Sequence, residues 1–304
     1  ATIPGFYVSG RHLYSPCGEM VVLRGVNEMF VWGDQTGTCL PEIAKTGANT
    51  VRIVWTAAYD QPAQFDALIQ TCINNKMIPL VELHDATGDW SLLQTCVNWW
   101  IKPAVVSVIQ KHEKYLLINI ANECGNVVSD TDYRNGYISA ISQMRAAGIK
   151  VPLIVDASGW GQNENSIINN WSQIFNSDPL HNTMFSIHMW WTDNNPTRIN
   201  NFINTCVSQN IPVIVGEFAH AGVGCAGTIA YTTIMSACQA NQVGYLAWSW
   251  GKIKNGDCYQ MDMTTTGNYV DLGTTTWNAW ARVVGITDPN SIQNTSVRPG
   301  YILN

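Results

Sequence analysis

Two rhythms of apolar residues alternate along the chain. Short runs rich in Val, Ile and Leu are followed by longer segments in which apolar positions recur every three to four residues. The runs MVVLRGV (20–26), ANTVRIV (48–54), MIPLVEL (77–83), KYLLINI (114–120), VPLIVDA (151–157), TMFSIHM (183–189), IPVIVGE (211–217) and VGYLAWS (243–249) read as strands. Their near-continuous apolar character suits parallel strands covered on both faces. Segments between them, such as 62–76, 129–148 and 196–210, begin at Asx, Ser or Pro, stop near Gly or Asn, and read as helices. Strand starts recur at roughly 30–40 residues, the length of one βα unit. No Gly/Ser-rich or Pro-rich linker interrupts the series. The pattern therefore predicts one (β/α)₈ TIM barrel spanning 1–304, and the alternative, an open doubly wound sheet, lacks a GxGxxG turn.

The opening GFYVSGRHLYSPCGEM (5–20) alternates apolar and polar residues around Ser9-Gly10, which predicts a β-hairpin closing the N-terminal end of the barrel. The polar tail after Ile286 is expected along the outside. With 46% hydrophobic and only 12% charged residues among 304, and a net charge of −6, the chain has ample core and no basic surface for nucleic acid. No apolar run reaches membrane-spanning length, so no membrane is expected as a partner. Nine cysteines without a CxxC pair or Cys/His metal spacing suit an oxidising compartment better than a zinc site. We expect a secreted, extracellular monomer. The start ATIPGF is what removal of a signal peptide would leave. Sequons occur at Asn170 and Asn294.

In a (β/α)₈ barrel the chemistry gathers where the strands end, so polar residues at strand tips are site candidates. Arg52 lies in TVRIVW, His84-Asp85 follow the third run, Asn122-Glu123 the fourth, His188 and Trp190 the sixth, Glu217 ends the seventh, and Trp248 and Trp250 the eighth. Glu123 and Glu217 are each delivered by an apolar run, on strands that lie across a narrow mouth. A pair of carboxyls so placed can cleave a glycosidic bond, retaining configuration at about 5–5.5 Å separation and inverting when wider. The chain has thirteen tryptophans. Trp32, Trp55, Trp90, Trp160, Trp190, Trp191, Trp248 and Trp250 fall at or just beyond strand ends, where rings would stack on the apolar faces of sugars.

The segments RGVN (24–27), TVRIVW (50–55), LHDATG (83–88), LINIANE (117–123), IVDASGWGQN (154–163), SIHMWW (186–191), VGEF (215–218) and AWSW (247–250) together resemble glycoside hydrolase family 5, and most closely its bacterial-type endo-β-1,4-mannanases. The resemblance implies a retaining (β/α)₈ enzyme acting on a β-1,4-linked polysaccharide such as mannan, glucomannan or galactomannan, with no metal and no cofactor. It implies Glu123 as acid/base and Glu217 as nucleophile. Asn122 would bind the sugar 2-hydroxyl, Arg52 would hold Glu217 ionised, His84 and His188 would line the pocket, and Trp248 would form its platform, with Trp160 and Trp190 also binding substrate. The family carries Tyr where this chain has Trp190; an indole N–H can also donate to the nucleophile. Cys124 is a second departure, in a position often held by an aromatic residue or Pro.

Other readings compete. The same scaffold serves endo-β-1,4-glucanases, and a tryptophan-lined barrel without turnover would be a carbohydrate-binding protein. Glu28 and Glu82 lack an evident partner pattern, Asp85, Asp156 and Gln162 suit sugar contact or loop bracing, and Trp99-Trp100 suits the core. Asp257 and Asp262 could reach the leaving-group side. Topology allows disulfides Cys39–Cys72, Cys206–Cys238 and Cys225–Cys258; the odd count leaves at least one thiol unpaired, with Cys124 the candidate.

Overall fold

A computed structural model describes residues 2–304. Eight parallel strands close into a barrel: β4 (Arg24–Glu28), β5 (Thr50–Trp55), β6 (Ile78–Leu83), β7 (Leu117–Asn119), β8 (Leu153–Asp156), β9 (Thr183–His188), β10 (Val213–Glu217) and β11 (Gly244–Ala247), with β11 pairing back onto β4. The expected barrel is present. The helices Pro62–Asn74, Asp130–Ala146 and Pro196–Gln209 lie within the segments read as helical. Their starts follow from local chemistry. Ser129 and Asn195 accept the first free amide hydrogens, and Pro62 and Pro196 occupy first-turn positions that need no donor.

The first run divides into two elements. Met20–Val21 forms β3 in a small antiparallel sheet with β1 (Tyr7–Ser9) and β2 (His12–Tyr14), and the barrel strand starts at Arg24. The hairpin turns at Gly10 in the left-handed region, φ 59°, where glycine has no steric penalty.

Strand periodicity builds the interior in two layers. Leu80, Leu117, Ile154, Met184, Ile214 and Leu246 form an apolar plug with Phe6, Val8, Leu13, Val21 and Leu23 of the N-terminal segment and Ile302 of the tail. The tail thus reaches under the barrel rather than only along its outside. Neighbours of the plug residues, such as Val81, Ile118, Val155, Phe185 and Val215, belong to the separate core between strands and helices. Two residues beyond the plug along each strand, the same inward parity gives Glu82, Asn119, Asp156, Ser186, Gly216 and Trp248. A period of two therefore places a polar layer directly above an apolar one. Gly216 makes room in that layer, since a Cβ there would lie 2.2 Å from Ser186 Oγ.

Candidate active site

Arg52 is the hub of the polar layer. Fully buried, it donates to Glu217 Oε2 at 2.8 Å, Asn27 Oδ1 at 2.8 Å, Asn122 Oδ1 at 2.7 Å, and Asn119 Oδ1 at 3.1 and 2.9 Å. Asp156 and Glu82 lie 3.6 and 3.9 Å away. A buried guanidinium needs its donors satisfied and its charge balanced, and this ring of acceptors does both.

The two glutamates arrive by different local devices. Glu217 follows a register shift in the β9–β10 ladder between Val215 and Glu217, so the bulge turns inward a residue that strict alternation would send to the helix side. Glu123 has φ 43°, in the left-handed region that costs a side-chain-bearing residue about 1–2 kcal/mol. Its backbone is held on both sides, by N–H donation to Asp156 Oδ2 at 2.9 Å and by its carbonyl accepting from Gly88 N at 2.8 Å. One oxygen of Glu123, one of Glu217 and a ring nitrogen of His188 all lie within 4.8 Å of one another. These three groups could hold a cation, but the Arg52 charge against Glu217 already neutralises that carboxylate.

His188 Nδ1 is 2.8 Å from Glu123 Oε2, and its Nε2 lies 3.3 Å from Asp156 Oδ2. Burial, with the nearby charges of Arg52 and His84, drives its pKa well below the ordinary value and keeps the ring neutral. Burial and the neighbouring Glu217 and Asp156 charges push Glu123 well above the usual carboxyl range. Burial raises Glu217 only to about 7, because Arg52 and His84 pull it down. The proton of the pair therefore resides on Glu123 and the charge on Glu217. His84 is opposed by burial, yet the charge and hydrogen bond of Glu82, 2.8 Å from Nδ1, win and raise it.

Above this layer opens a cleft of about 560 Å³, lined by His84, Glu123, Glu217, Trp160, Trp190 and Trp248 together with Trp32, Gln162 and residues of the loop after β11. Trp32 and Trp160 are 51% and 43% exposed. Gly88 carries Trp160, since a Cβ at that position, where φ is 73°, would lie 2.4 Å from the indole. Trp190 Nε1 donates to Glu217 Oε1 at 3.2 Å, so the residue that departs from the expected Tyr still reaches the carboxylate. Trp248 stacks near His84 with ring centroids 6.0 Å apart and donates to Asn255 Oδ1.

All nine expected site residues converge, but in two shells of different access. Arg52, Asn122 and His188 are fully buried behind the cleft wall, and the Asn122 amide is shared between Arg52 and Thr87. Only part of the tryptophan set lines the cleft. Trp55 and Trp250 are buried in the core, Trp191 packs beneath the Arg198 guanidinium, and Trp90 lies against Tyr133 and Tyr137. A strand end points inward or outward by parity, and composition does not distinguish the two. Glu82, read as lacking partners, belongs to the network through His84 and Arg52. Glu28 braces the β11 loop by accepting from Gly251, Lys252 and Ile253 amides. Asp85 likewise caps Ala57 and Ala58, and Asp262 holds Asn255, whereas Gln162 and Asp257 do line the cleft. Asn27, Asn119 and Asn255 were not singled out by sequence. A polar residue inside an apolar strand, as in LINI, was the available signal for Asn119.

Cys225 and Cys258 form a disulfide across the cleft rim. Cys39, Cys72, Cys206 and Cys238 are instead buried free thiols, packed as small apolar groups between helices and strands. Cys124 is also free and buried, its Sγ 3.7 Å from the Asp89 carbonyl and its pKa pushed up to about 12 by burial. The Asn170 sequon is inaccessible, since that amide is buried and donates to Asp130 and Ser166. Among the described residues no single helix is long and apolar enough to cross a membrane.

Residues 15–254 match the family described as cellulase (glycosyl hydrolase family 5). The chain belongs to glycosyl hydrolase family 5. A mannan endo-1,4-beta-mannosidase of Cellvibrio japonicus is 36% identical over 96% of this chain and 68% of its own. One from Salipaludibacillus agaradhaerens is 38% identical over 81% of each. The mannohexaose complex of Thermomonospora fusca beta-mannanase superposes with a TM-score of 0.88 at 32% identity, covering 98% of this chain and 99% of that one. Family membership makes the protein a hydrolase, and the Glu123–Glu217 pair is the feature of its cleft suited to that chemistry.

Proposed function

We propose that the protein is a secreted endo-β-1,4-mannanase, a single catalytic domain that cleaves mannan, glucomannan or galactomannan with retention of configuration. The observation that carries the reading is the pair Glu123 and Glu217, with oxygens within 4.8 Å, facing an open cleft walled by tryptophan. That spacing leaves no room for a water between carboxylate and sugar, as inversion requires, and suits direct attack. The mannanase relatives support mannan as the polymer, and an open cleft supports cutting within a chain. The Cys225–Cys258 bridge supports an oxidising, extracellular location.

In this reading Glu217 attacks the anomeric carbon while protonated Glu123 donates to the departing glycosidic oxygen, giving a glycosyl ester and a shortened chain. Glu123, now a carboxylate, takes a proton from water as that water attacks the ester, which frees the sugar and restores both groups. Arg52 and Trp190 keep Glu217 ionised by donating to its two oxygens. Neutral His188 holds Glu123 without competing for its proton. Asn122, buried and with its amide held by Arg52 and Thr87, meets the sugar 2-hydroxyl by exchanging the Thr87 hydroxyl for the sugar's, and a bond there that tightens in the transition state favours catalysis.

Product analysis on mannan and soluble cellulose, with NMR of the first-formed anomer, tests the proposal. We expect mannan oligosaccharides of several lengths, released first as the β-anomer, and no release by Glu217→Ala with an unchanged circular dichroism spectrum. Cleavage by that folded variant, or a first-formed α-anomer, would refute the mechanism; faster release from soluble cellulose would assign the enzyme to glucans.

A further inference from the structure

A second groove of about 530 Å³ lies beyond the rim of the cleft, walled by His220, Thr228, Tyr231, Gln260, Trp277 and Trp280. Its size is comparable to that of small-ligand sites. Two short segments separate it from the cleft and serve both. Val223 and Met261 face the cleft, Gly227, Thr228 and Gln260 face the groove, and the Cys225–Cys258 bridge ties the segments together. Trp280 is buried and stacks on His220 with ring centroids 5.0 Å apart, forming a rigid wall. Trp277 is half-buried and braced edge-on by Tyr259, which is 57% exposed.

The chemistry of the groove is uncharged. None of its lining residues is Lys, Arg, Asp or Glu, and burial lowers the pKa of His220 so that it is neutral near pH 7. Indole and phenol rings offer flat apolar surface, while the Thr228 and Thr276 hydroxyls and the Gln260 amide offer hydrogen bonds. That combination suits a neutral pyranose, which presents C–H faces and a belt of hydroxyls, better than an anion or a charged peptide. The shared wall makes the groove continuous with the cleft rim, so the occupant most favoured by position is another stretch of the same polymer.

We propose that this groove is a non-catalytic binding platform for a neutral β-1,4-linked hexose polymer, holding insoluble substrate beside the cleft. The polymer's identity rests on the mannanase reading; the platform does not. Two variants test it in the full chain: Trp277→Ala removes a stacking surface, and Thr276→Arg, at an exposed position, fills the groove without deleting a packed residue. Each is also made with Glu217→Gln so that the polymer is not consumed during binding to insoluble mannan. We expect both variants to hydrolyse soluble mannohexaose within about twofold of the parent and to retain less than half of its binding to insoluble mannan. Binding above half in either variant, or an equal loss on mannohexaose, overturns the platform. A parent that fails to cleave mannohexaose refutes the mannanase reading instead, and the same variants are then compared on insoluble cellulose.

Discussion

Replacing Trp190 by Phe isolates one hydrogen bond to the proposed nucleophile. The ring that walls the cleft is largely kept, and the 3.2 Å donation from Nε1 to Glu217 Oε1 is lost. Hydrogen bonds to a charged acceptor contribute about 1.5–3 kcal/mol, and 3.2 Å is long for the charge-assisted class, which places this one near 1.5 kcal/mol. At ~1.4 kcal/mol per pKa unit this amounts to about one unit. The direction follows from which form the bond favours. The indole N–H stabilises the ionised carboxylate, so its removal raises Glu217 further above about 7, and the acid limb of kcat/KM moves to higher pH. Below that limb the variant should be about tenfold slower, whereas above it Glu217 is ionised in both proteins and rates should converge. Initial rates on mannohexaose across the limb would measure this. Trp190→Tyr, which restores a hydroxyl donor, should return the limb toward the parent position. A uniform loss at every pH would show that Trp190 only packs, and an unmoved limb would refute the assigned bond.

Two other perturbations probe the cleft walls. Gly88→Ala puts a Cβ 2.4 Å from the Trp160 indole at a backbone φ of 73°, so the ring must move. KM for mannohexaose should rise severalfold with kcat within about twofold, and adding Gly88→Ala to Trp160→Ala should cost little more. Replacing Cys225 and Cys258 together by Ser opens a loop with a sequence separation of 33. Chain-entropy reasoning then predicts a loss of about 3–4 kcal/mol in urea unfolding, with a higher KM because Val223 and Met261 lose their common anchor. An unchanged unfolding midpoint would show that the bridge contributes nothing to stability.

The strands were legible because each is a short apolar run with a polar tip, and burial on both faces leaves few other ways to satisfy such a run. Glu123 and Glu217 were visible for the same reason. The structural context of Glu217 was not, since a bulge changes facing without changing composition. Asn27, Asn119 and Glu82 were missed because their meaning depends on a common partner, Arg52, that four different strands bring together. The tryptophans failed as a set because a strand-end ring goes to the mouth or to the core according to parity and local backbone. Cysteine pairing was the least legible. A buried free thiol and half of a disulfide are identical in sequence, and only distance separates Cys225–Cys258 from the thiols of Cys206 and Cys238.

The stacking of the polar layer on the plug has a consequence for directed evolution of this chain. Foundation and chemistry are written two residues apart on the same strands, as in Leu80-Val81-Glu82 or Ile154-Val155-Asp156. Deleting one residue within a strand would send a carboxylate toward the helices and bring an aliphatic side chain to the mouth, losing stability and turnover in one step. The loops bearing Trp32 and Trp160 carry no such double meaning. Libraries that vary length there, and leave strand length untouched, should retain folded members while sampling new cleft shapes.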